Sequence, residues 1–80
     1  MRLPRDVSGE SLTVALRALG YVVTRQKGSH VRLTTQANGE HHVTIPNHSP
    51  LRLGTLNEIL KDVAEHAGLT RDEVADKLFG

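Results

Sequence analysis

Apolar residues at helical spacing mark the first element of the chain. Leu12, Leu16 and Leu19 recur at helical intervals after Ser8, a residue type that favours the N-cap position. Gly20 stands where a helix needs a left-handed C-terminal residue. The pattern predicts a helix from residue 8 or 9 to residue 19.

Three segments with strand-like patterns follow this helix. The first is rich in β-branched and aromatic residues, and the other two alternate polar with apolar positions. They cover residues 21–25, 30–35 and 41–45, with breaks at 27–29 and 37–39 and with Pro46 after the last. Strands joined by such short connections predict an antiparallel meander.

Two further helices are predicted after the loop at residues 46–50. Thr55 and Glu58 form a capping-box pattern, and Gly68 ends the apolar stripe that follows them. Thr70 and Glu73 form a second capping-box pattern and open a short last helix. The order of elements predicts an α+β fold, with the helices on one face of a three-stranded antiparallel sheet and the other face partly open.

The alternation of the second and third strands also predicts their register. If their apolar residues share the helix-facing side, Leu33 lies opposite Val43 and Val31 opposite Ile45. The outer face then carries the pairs His30–Pro46, Arg32–Thr44 and Thr34–His42. The register of the first hairpin stays open, because Val22 and Val23 are both apolar.

Length and composition narrow the class of protein. The chain has 80 residues and 8.8 kDa, with 38% hydrophobic and 24% charged residues. These values predict one globular domain over residues 1–80, and they exclude a disordered chain or a membrane span. There is no cysteine, so disulfides, thiolate nucleophiles and cysteine-type zinc sites are excluded. Without a recognisable signal peptide, a cytoplasmic location is expected.

The formal net charge of +1 conceals an uneven distribution. Residues 1–53 carry seven basic and three acidic side chains, whereas residues 54–80 carry three basic and six acidic ones. A basic first half is compatible with an anionic partner. The alternative is a dipolar domain whose charges are merely solvated.

Lys27-Gly28-Ser29-His30 is the most informative tetrad for chemistry. Glycine permits a tight turn that brings backbone amides close to a ligand, and lysine and serine offer contacts to a phosphate. Histidine transfers protons near neutral pH. Together these groups suit binding of a phosphodiester and proton transfer at a ribose 2′-hydroxyl, which needs neither metal nor cofactor. The alternative is an ordinary hairpin turn followed by a polar strand residue.

Other candidate residues surround this tetrad. His48 is either a second acid or base near His30, or a loop residue that holds its loop by hydrogen bonds. Arg25 and Arg32 either bind phosphates or solubilise the sheet. Adjacent His41 and His42 face opposite sides of their strand, so we expect no metal site. His66, on an acidic helix, is interpreted as a surface residue.

Several motifs, taken together, resemble the HicA toxin family. They are Leu3-Pro4, Ser8-Gly9, Leu19-Gly20-Tyr21, Arg25 to His30, Pro46-Asn47-His48, and Gly54-Thr55-Leu56 with Ile59-Leu60. The resemblance extends from about residue 3 to residue 78, in the family's order and spacing. It implies a fold of the double-stranded-RNA-binding-domain type, with the order α-β-β-β-α, which agrees with the elements above.

The resemblance also implies a function. Members of this family are toxins of type II toxin–antitoxin systems, endoribonucleases (mRNA interferases) that arrest translation until a HicB-like antitoxin binds them. The family's catalytic histidine corresponds to His30, and His48 matches a recurring histidine. The expected RNA-binding residues are Arg25, Lys27, Gly28, Ser29, Arg32 and His48, with no cofactor or metal. Two alternatives stay open, a non-catalytic RNA-binding module of the same fold and a domain that only binds another protein.

Overall fold

The computed structural model describes Pro4 and residues 6–80. Arg2 and Arg5, counted in the basic excess, and Leu3, quoted for the family resemblance, lie outside the described residues. The elements are helix α1 (Gly9–Ala15), continued by a 3-10 turn (Leu16–Leu19), strands β1 (Val22–Lys27), β2 (His30–Thr35) and β3 (His41–Pro46), and helices α2 (Leu53–Ala67) and α3 (Arg71–Phe79). The predicted α+β fold and its order of elements are confirmed.

Both ends of the first helical segment agree with the prediction. The Ser8 hydroxyl accepts a hydrogen bond from the Ser11 amide at 3.0 Å, as an N-cap does. Gly20 ends the segment in the left-handed conformation with φ 84°. The last turn is 3-10 rather than α-helical, a common tightening at a helix C-terminus.

The sheet has the order β1-β2-β3 and is antiparallel throughout. Between β2 and β3 every predicted pair is confirmed, including Leu33–Val43 and Val31–Ile45 on one face and Arg32–Thr44 on the other. The connection between these strands is longer than predicted, since the last pair is Thr35–His41. Its tight path uses left-handed backbone at Asn38 and Gly39, with φ 60° and 95°.

The core lies between the helices and the inner face of β2 and β3. The four inward-facing strand residues are at most 8% exposed, and the helices contribute residues that are fully or almost fully buried. The largest of these are Leu12, Leu16, Leu56, Leu60, Val63 and Val74. The helices do not cover β1, in which every residue is exposed. One hairpin strand is therefore open to solvent on both faces.

Two predicted elements have wrong boundaries. The first strand begins at Val22 and extends to Lys27, because a two-residue turn at Gly28–Ser29 lets Lys27 pair with His30. Helix α2 begins at Leu53, so Thr55 is not its N-cap. Leu51 is 5% exposed, and its amide donates to the Val7 carbonyl at 2.7 Å. This anchor fixes the chain just ahead of Arg52, whose carbonyl accepts the first helical hydrogen bond, from Leu56 at 3.0 Å.

Candidate nucleic-acid interface

The outer face of the sheet gathers most of the basic residues predicted to contact a ligand. Cross-strand partners share a face, and here Lys27 pairs with His30 and Arg25 with Arg32. All four side chains are exposed. The structure therefore brings Arg25, Lys27, His30 and Arg32 together, and we call these four residues the basic face.

A β-bulge in β1 orients two of these side chains. The register passes from Val23–Leu33 directly to Arg25–Arg32, so Thr24 is an extra residue on its strand. In a regular strand, alternation would put Arg25 and Lys27 on the same side as Val23, towards α1. The bulge instead turns both residues to the outer face.

Arg25 and Arg32 lie directly opposite each other on neighbouring strands. Like charges in this position repel and destabilise a sheet. Within the described residues, neither arginine forms an ion pair with a carboxylate. An anion bound between them would relieve the repulsion.

The turn that begins the candidate site has the geometry expected of its sequence. Gly28 has left-handed backbone with φ 59°, and space around its Cα is open, so the requirement for glycine is conformational. The Ser29 carbonyl accepts a hydrogen bond from the Asn47 amide at 2.6 Å. This bond attaches the loop that carries His48 to the turn that precedes His30.

A backbone hydrogen bond fixes the position of His48. Its carbonyl accepts from the Gly9 amide at 2.8 Å, which connects this loop to the first turn of α1. The side chains of His30 and His48 are exposed, and neither makes a hydrogen bond to a described residue. Both imidazoles are thus open to an external ligand, and no described side chain holds either ring.

His42 belongs to a chain of hydrogen bonds on the same outer face. Its Nε2 lies 2.9 Å from the Glu40 carboxylate and its Nδ1 lies 2.7 Å from the Thr34 hydroxyl, which in turn is 2.8 Å from the Thr24 hydroxyl. The hydrogen bond from His42 is the main cause that lowers the pKa of Glu40. The predicted Thr34–His42 pair is confirmed, but the part played by Thr24 was not predicted, because the bulge was not.

His41 lies on the opposite face from His42, as predicted, and it belongs to a separate cluster. Its Nδ1 is 2.7 Å from the Tyr21 hydroxyl and its Nε2 is 3.2 Å from an Asp62 carboxylate oxygen. A carboxylate only accepts, so Nε2 donates and Nδ1 of the neutral ring accepts from tyrosine. Burial, and next the charge of Asp62, raise the pKa of Tyr21 to about 12, which keeps that hydroxyl protonated.

The interpretation of His66 as a simple surface residue is wrong. Its ring stacks on that of His41 with centroids 4.4 Å apart. Its Nε2 donates to the carbonyls of Ala37 and Gly39, at 2.9 and 3.0 Å. The residue therefore holds the β2–β3 turn against the end of α2. The pairing was not visible in the sequence because it joins residues far apart in the chain.

Acidic side chains from the second half of the chain line a groove beside β3. Glu58, Asp62 and Glu65 of α2 line a groove beside Val43 and Thr44 of β3, together with Lys61. In the part of the chain that the structure describes, no three histidine, aspartate or glutamate side chains form a group suited to a metal ion. None of the described helices is long and apolar enough to cross a membrane.

The chain folds into a small α+β domain. Its exposed basic face carries His30 beside cationic side chains at a hairpin turn. A family model, that of the HicA toxin of bacterial toxin–antitoxin systems, matches residues 9–64. The chain belongs to the HicA toxin family, and it is thus assigned to the toxin component, with a cognate antitoxin as its implied partner. The match includes the turn with His30 and the loop with His48. No match is found among curated proteins or among solved structures.

Proposed function

We propose that this protein is an mRNA interferase, the toxin of a type II toxin–antitoxin system, which cleaves RNA in the cytoplasm without a metal ion or cofactor. The observation that carries this proposal is the position of His30 on the basic face. An exposed imidazole beside Lys27, near two arginines that form no ion pair with a described carboxylate, suits proton transfer on a bound phosphodiester. Family membership supports the toxin role.

The basic face would hold the RNA backbone. Arg25, Lys27 and Arg32 would contact phosphates, which gives affinity without sequence information. Along an extended strand, side chains on one face recur about every 6.6 Å. His30 and Arg32 therefore suit contacts to successive points along one nucleic-acid strand.

His30 would take the catalytic role. As a general base it would remove the proton from a ribose 2′-hydroxyl, whose oxygen attacks the neighbouring phosphorus. The bond from phosphorus to the 5′-oxygen breaks, and that oxygen takes up a proton. The products are a 2′,3′-cyclic phosphate and a 5′-hydroxyl. Lys27 and the amides of Gly28 and Ser29 would stabilise the added negative charge on the phosphate.

His48 would act beside this centre, since the Asn47–Ser29 hydrogen bond attaches its loop to the Gly28–Ser29 turn. Two roles are open to it, contact with the RNA and proton transfer to the leaving oxygen. A cognate HicB-like antitoxin would arrest the enzyme when it binds.

One observation favours a second candidate, a non-catalytic RNA-binding module of the same fold. Active-site histidines are usually oriented by a further group, and His30 has no hydrogen-bond partner among the described residues. This candidate predicts that His30→Ala leaves the biological effect intact. Removal of charge at Arg25 and Lys27 would still weaken it.

A cleavage assay in EDTA distinguishes the two candidates. Purified wild type, His30→Ala and His48→Ala are incubated with a defined RNA, and His66→Ala, on α2 and outside the basic face, serves as a histidine control once circular dichroism has verified its fold. We expect wild type and His66→Ala to cleave, and His30→Ala to lose about 10²–10⁴-fold in rate. Equal cleavage by wild type and His30→Ala would overturn the assignment of His30. Retained, salt-sensitive binding without any cleavage would support the RNA-binding module.

A further inference from the structure

We propose that the Thr24 hydroxyl positions Arg25 for RNA binding, because it holds the β1 bulge through the hydrogen-bonded chain Thr24–Thr34–His42–Glu40. The effect on RNA binding rests on the function proposed above. The effect on strand register concerns only the β1–β2 hairpin and does not depend on that function. Thr24 is a positioning residue in this proposal, and Arg25 is the residue that touches the phosphate.

Strand β1 lacks the usual determinant of strand register. A buried face normally fixes register, because a slip by one residue would expose the apolar side chains. Every residue of β1 is exposed, and the adjacent Val22 and Val23 are 57% and 47% exposed. Burial alone therefore does little to select the bulged register over a regular one.

The regular register would remove Arg25 from the basic face and would also end the pairing of Lys27 with His30. If Val23–Leu33 pairing continued without the bulge, Thr24 would pair with Arg32 and Arg25 with Val31. Val31 faces the helices, so Arg25 would turn towards the groove that Val14 and Arg17 of α1 line. Repulsion between Arg25 and Arg32 favours this alternative, so the observed register needs a compensating interaction.

The hydroxyl of Thr24 provides that interaction. It lies 2.8 Å from the Thr34 hydroxyl and 3.4 Å from the Arg32 carbonyl, both on the neighbouring strand. Thr34 is only 7% exposed, and its hydroxyl proton goes to His42, so the Thr24 hydroxyl supplies the donor for the oxygen of Thr34. A side chain at position 24 can reach these atoms when it lies on the outer face.

When the His42 ring is neutral, the chain of hydrogen bonds beyond Thr34 runs in one direction. The Glu40 carboxylate only accepts, so His42 donates through Nε2, and Nδ1 of its neutral ring accepts from Thr34. Thr34 then accepts from Thr24. The four side chains span all three strands and end at the bulge, so they attach the otherwise uncovered β1 to the rest of the sheet.

Three variants test the proposal. Thr24→Val keeps the shape and the strand preference of the side chain but removes the hydroxyl. Thr24→Ser keeps the hydroxyl and serves as the rescue variant. Thr44→Val is the matched control, since Thr44 is exposed on the same face and its hydroxyl makes no hydrogen bond to a described residue. Circular dichroism first verifies that each variant is folded.

The first readout is structural and independent of RNA. Nuclear Overhauser contacts between the backbones of Arg25 and Arg32 report the bulged register. We expect them in wild type, Thr24→Ser and Thr44→Val, and we expect them weakened or replaced by Arg25–Val31 contacts in Thr24→Val. Unchanged Arg25–Arg32 contacts in a folded Thr24→Val protein would overturn the proposal.

The second readout is RNA binding, measured in a His30→Ala background so that the RNA stays intact. Thr24→Val is expected to weaken binding by about threefold to tenfold, the same loss that is expected for Arg25→Ala, and to lower the salt dependence by about 0.7 in the log–log slope. Because Thr24 acts through Arg25, adding Thr24→Val to Arg25→Ala should cause no further loss. Additive losses would overturn the positioning role.

The two readouts separate failure of this inference from failure of the proposed function. If wild type shows no salt-sensitive RNA binding while the register still depends on Thr24, the proposed function fails and the structural role of Thr24 stands. If RNA binds but neither register nor affinity depends on the hydroxyl, the positioning role fails and the proposed function is untouched.

Discussion

Gly9→Ala tests the close backbone contact between the first helix and the loop that carries His48. The Cβ of an alanine at this position would overlap the Pro46 carbonyl oxygen and lie 2.9 Å from the Asn47 Cα. Both atoms belong to the backbone, so no side-chain rotation relieves the overlap. The Gly9 amide also donates to the His48 carbonyl at 2.8 Å, so the two segments cannot separate without loss of that bond.

Two opposing effects determine the magnitude. Alanine in place of a helical glycine is favourable by about 0.5–1 kcal/mol. Forcing an extra carbon into a packed contact is unfavourable by about 1–3 kcal/mol, and the displaced loop also weakens a hydrogen bond worth about 1 kcal/mol. The net prediction is a destabilisation of about 1–3 kcal/mol. For a domain of this size each kcal/mol lowers Tm by about 4–8 °C.

Gly54→Ala is the matched control for this substitution. Gly54 lies in the first turn of α2, has no neighbour within 4 Å of an added Cβ, and does not adopt a left-handed φ. Its replacement should stabilise the protein by about 0.4–1 kcal/mol. Urea and thermal unfolding, followed by circular dichroism, should therefore give shifts of opposite sign. A Gly9→Ala protein at least as stable as wild type would refute the described contact.

The remaining predictions concern the helix caps, the buried tyrosine and the core. Thr70→Ala should destabilise the protein by about 1 kcal/mol because it removes an N-cap. Thr55→Ala, inside α2, should leave the unfolding free energy within about 0.5 kcal/mol of wild type. Equal effects of the two variants in urea unfolding would contradict the observed start of α2. Tyr21 is the one tyrosine in the chain, so the ultraviolet absorbance of tyrosinate should titrate near pH 12 in the folded protein and near about 10 in denaturant. The pKa of Tyr21 is higher in the folded protein, so the stability that Tyr21 contributes is complete below pH of about 10 and is lost as pH rises towards 12. A titration midpoint near about 10 in the folded protein would contradict the burial of Tyr21. Leu33→Ala, at a fully buried position, should cost about 2–5 kcal/mol in unfolding free energy, and a loss below about 1 kcal/mol would contradict its place in the core.

The sequence predicted the β2–β3 pairing because both strands alternate and one face is buried. For Leu33 and Val43 to share the inner face, their residue numbers fix the register, and the pairs on the outer face follow from it. The same reasoning could not apply to β1. Val22 and Val23 give it no preferred face, and the helices do not cover it.

The basic residues of the site could be predicted from the sequence. The β1 bulge, which turns Arg25 to the outer face, could not. Lys27, Gly28 and His30 belong to a short turn, where sequence and local geometry are closely linked. The contribution of Thr24 depends on atoms of Thr34 on another strand. Likewise, the stacking of His66 on His41 depends on tertiary structure, which spacing along the chain does not report.

Helix starts show the same limit of local patterns. Thr55 and Glu58 have the spacing of a capping box, yet α2 begins at Leu53. A capping box stabilises a helix start by about 1 kcal/mol. Burial of Leu51 and the added helical turn stabilise the earlier start by more than that. Thr70 and Glu73 have no such competitor, and there the capping box forms.

The central claim is that RNA is cleaved by its own 2′-hydroxyl with His30 as the proton-transfer group. The most direct measurement compares cleavage in EDTA of a defined RNA and of the same RNA with a single 2′-deoxy nucleotide on the 5′ side of the mapped cleavage site. Wild type should cut the all-ribose RNA to a 2′,3′-cyclic phosphate and a 5′-hydroxyl, should leave the substituted bond intact, and should lose cleavage in His30→Ala. Cleavage of the substituted bond at an undiminished rate would contradict the claim.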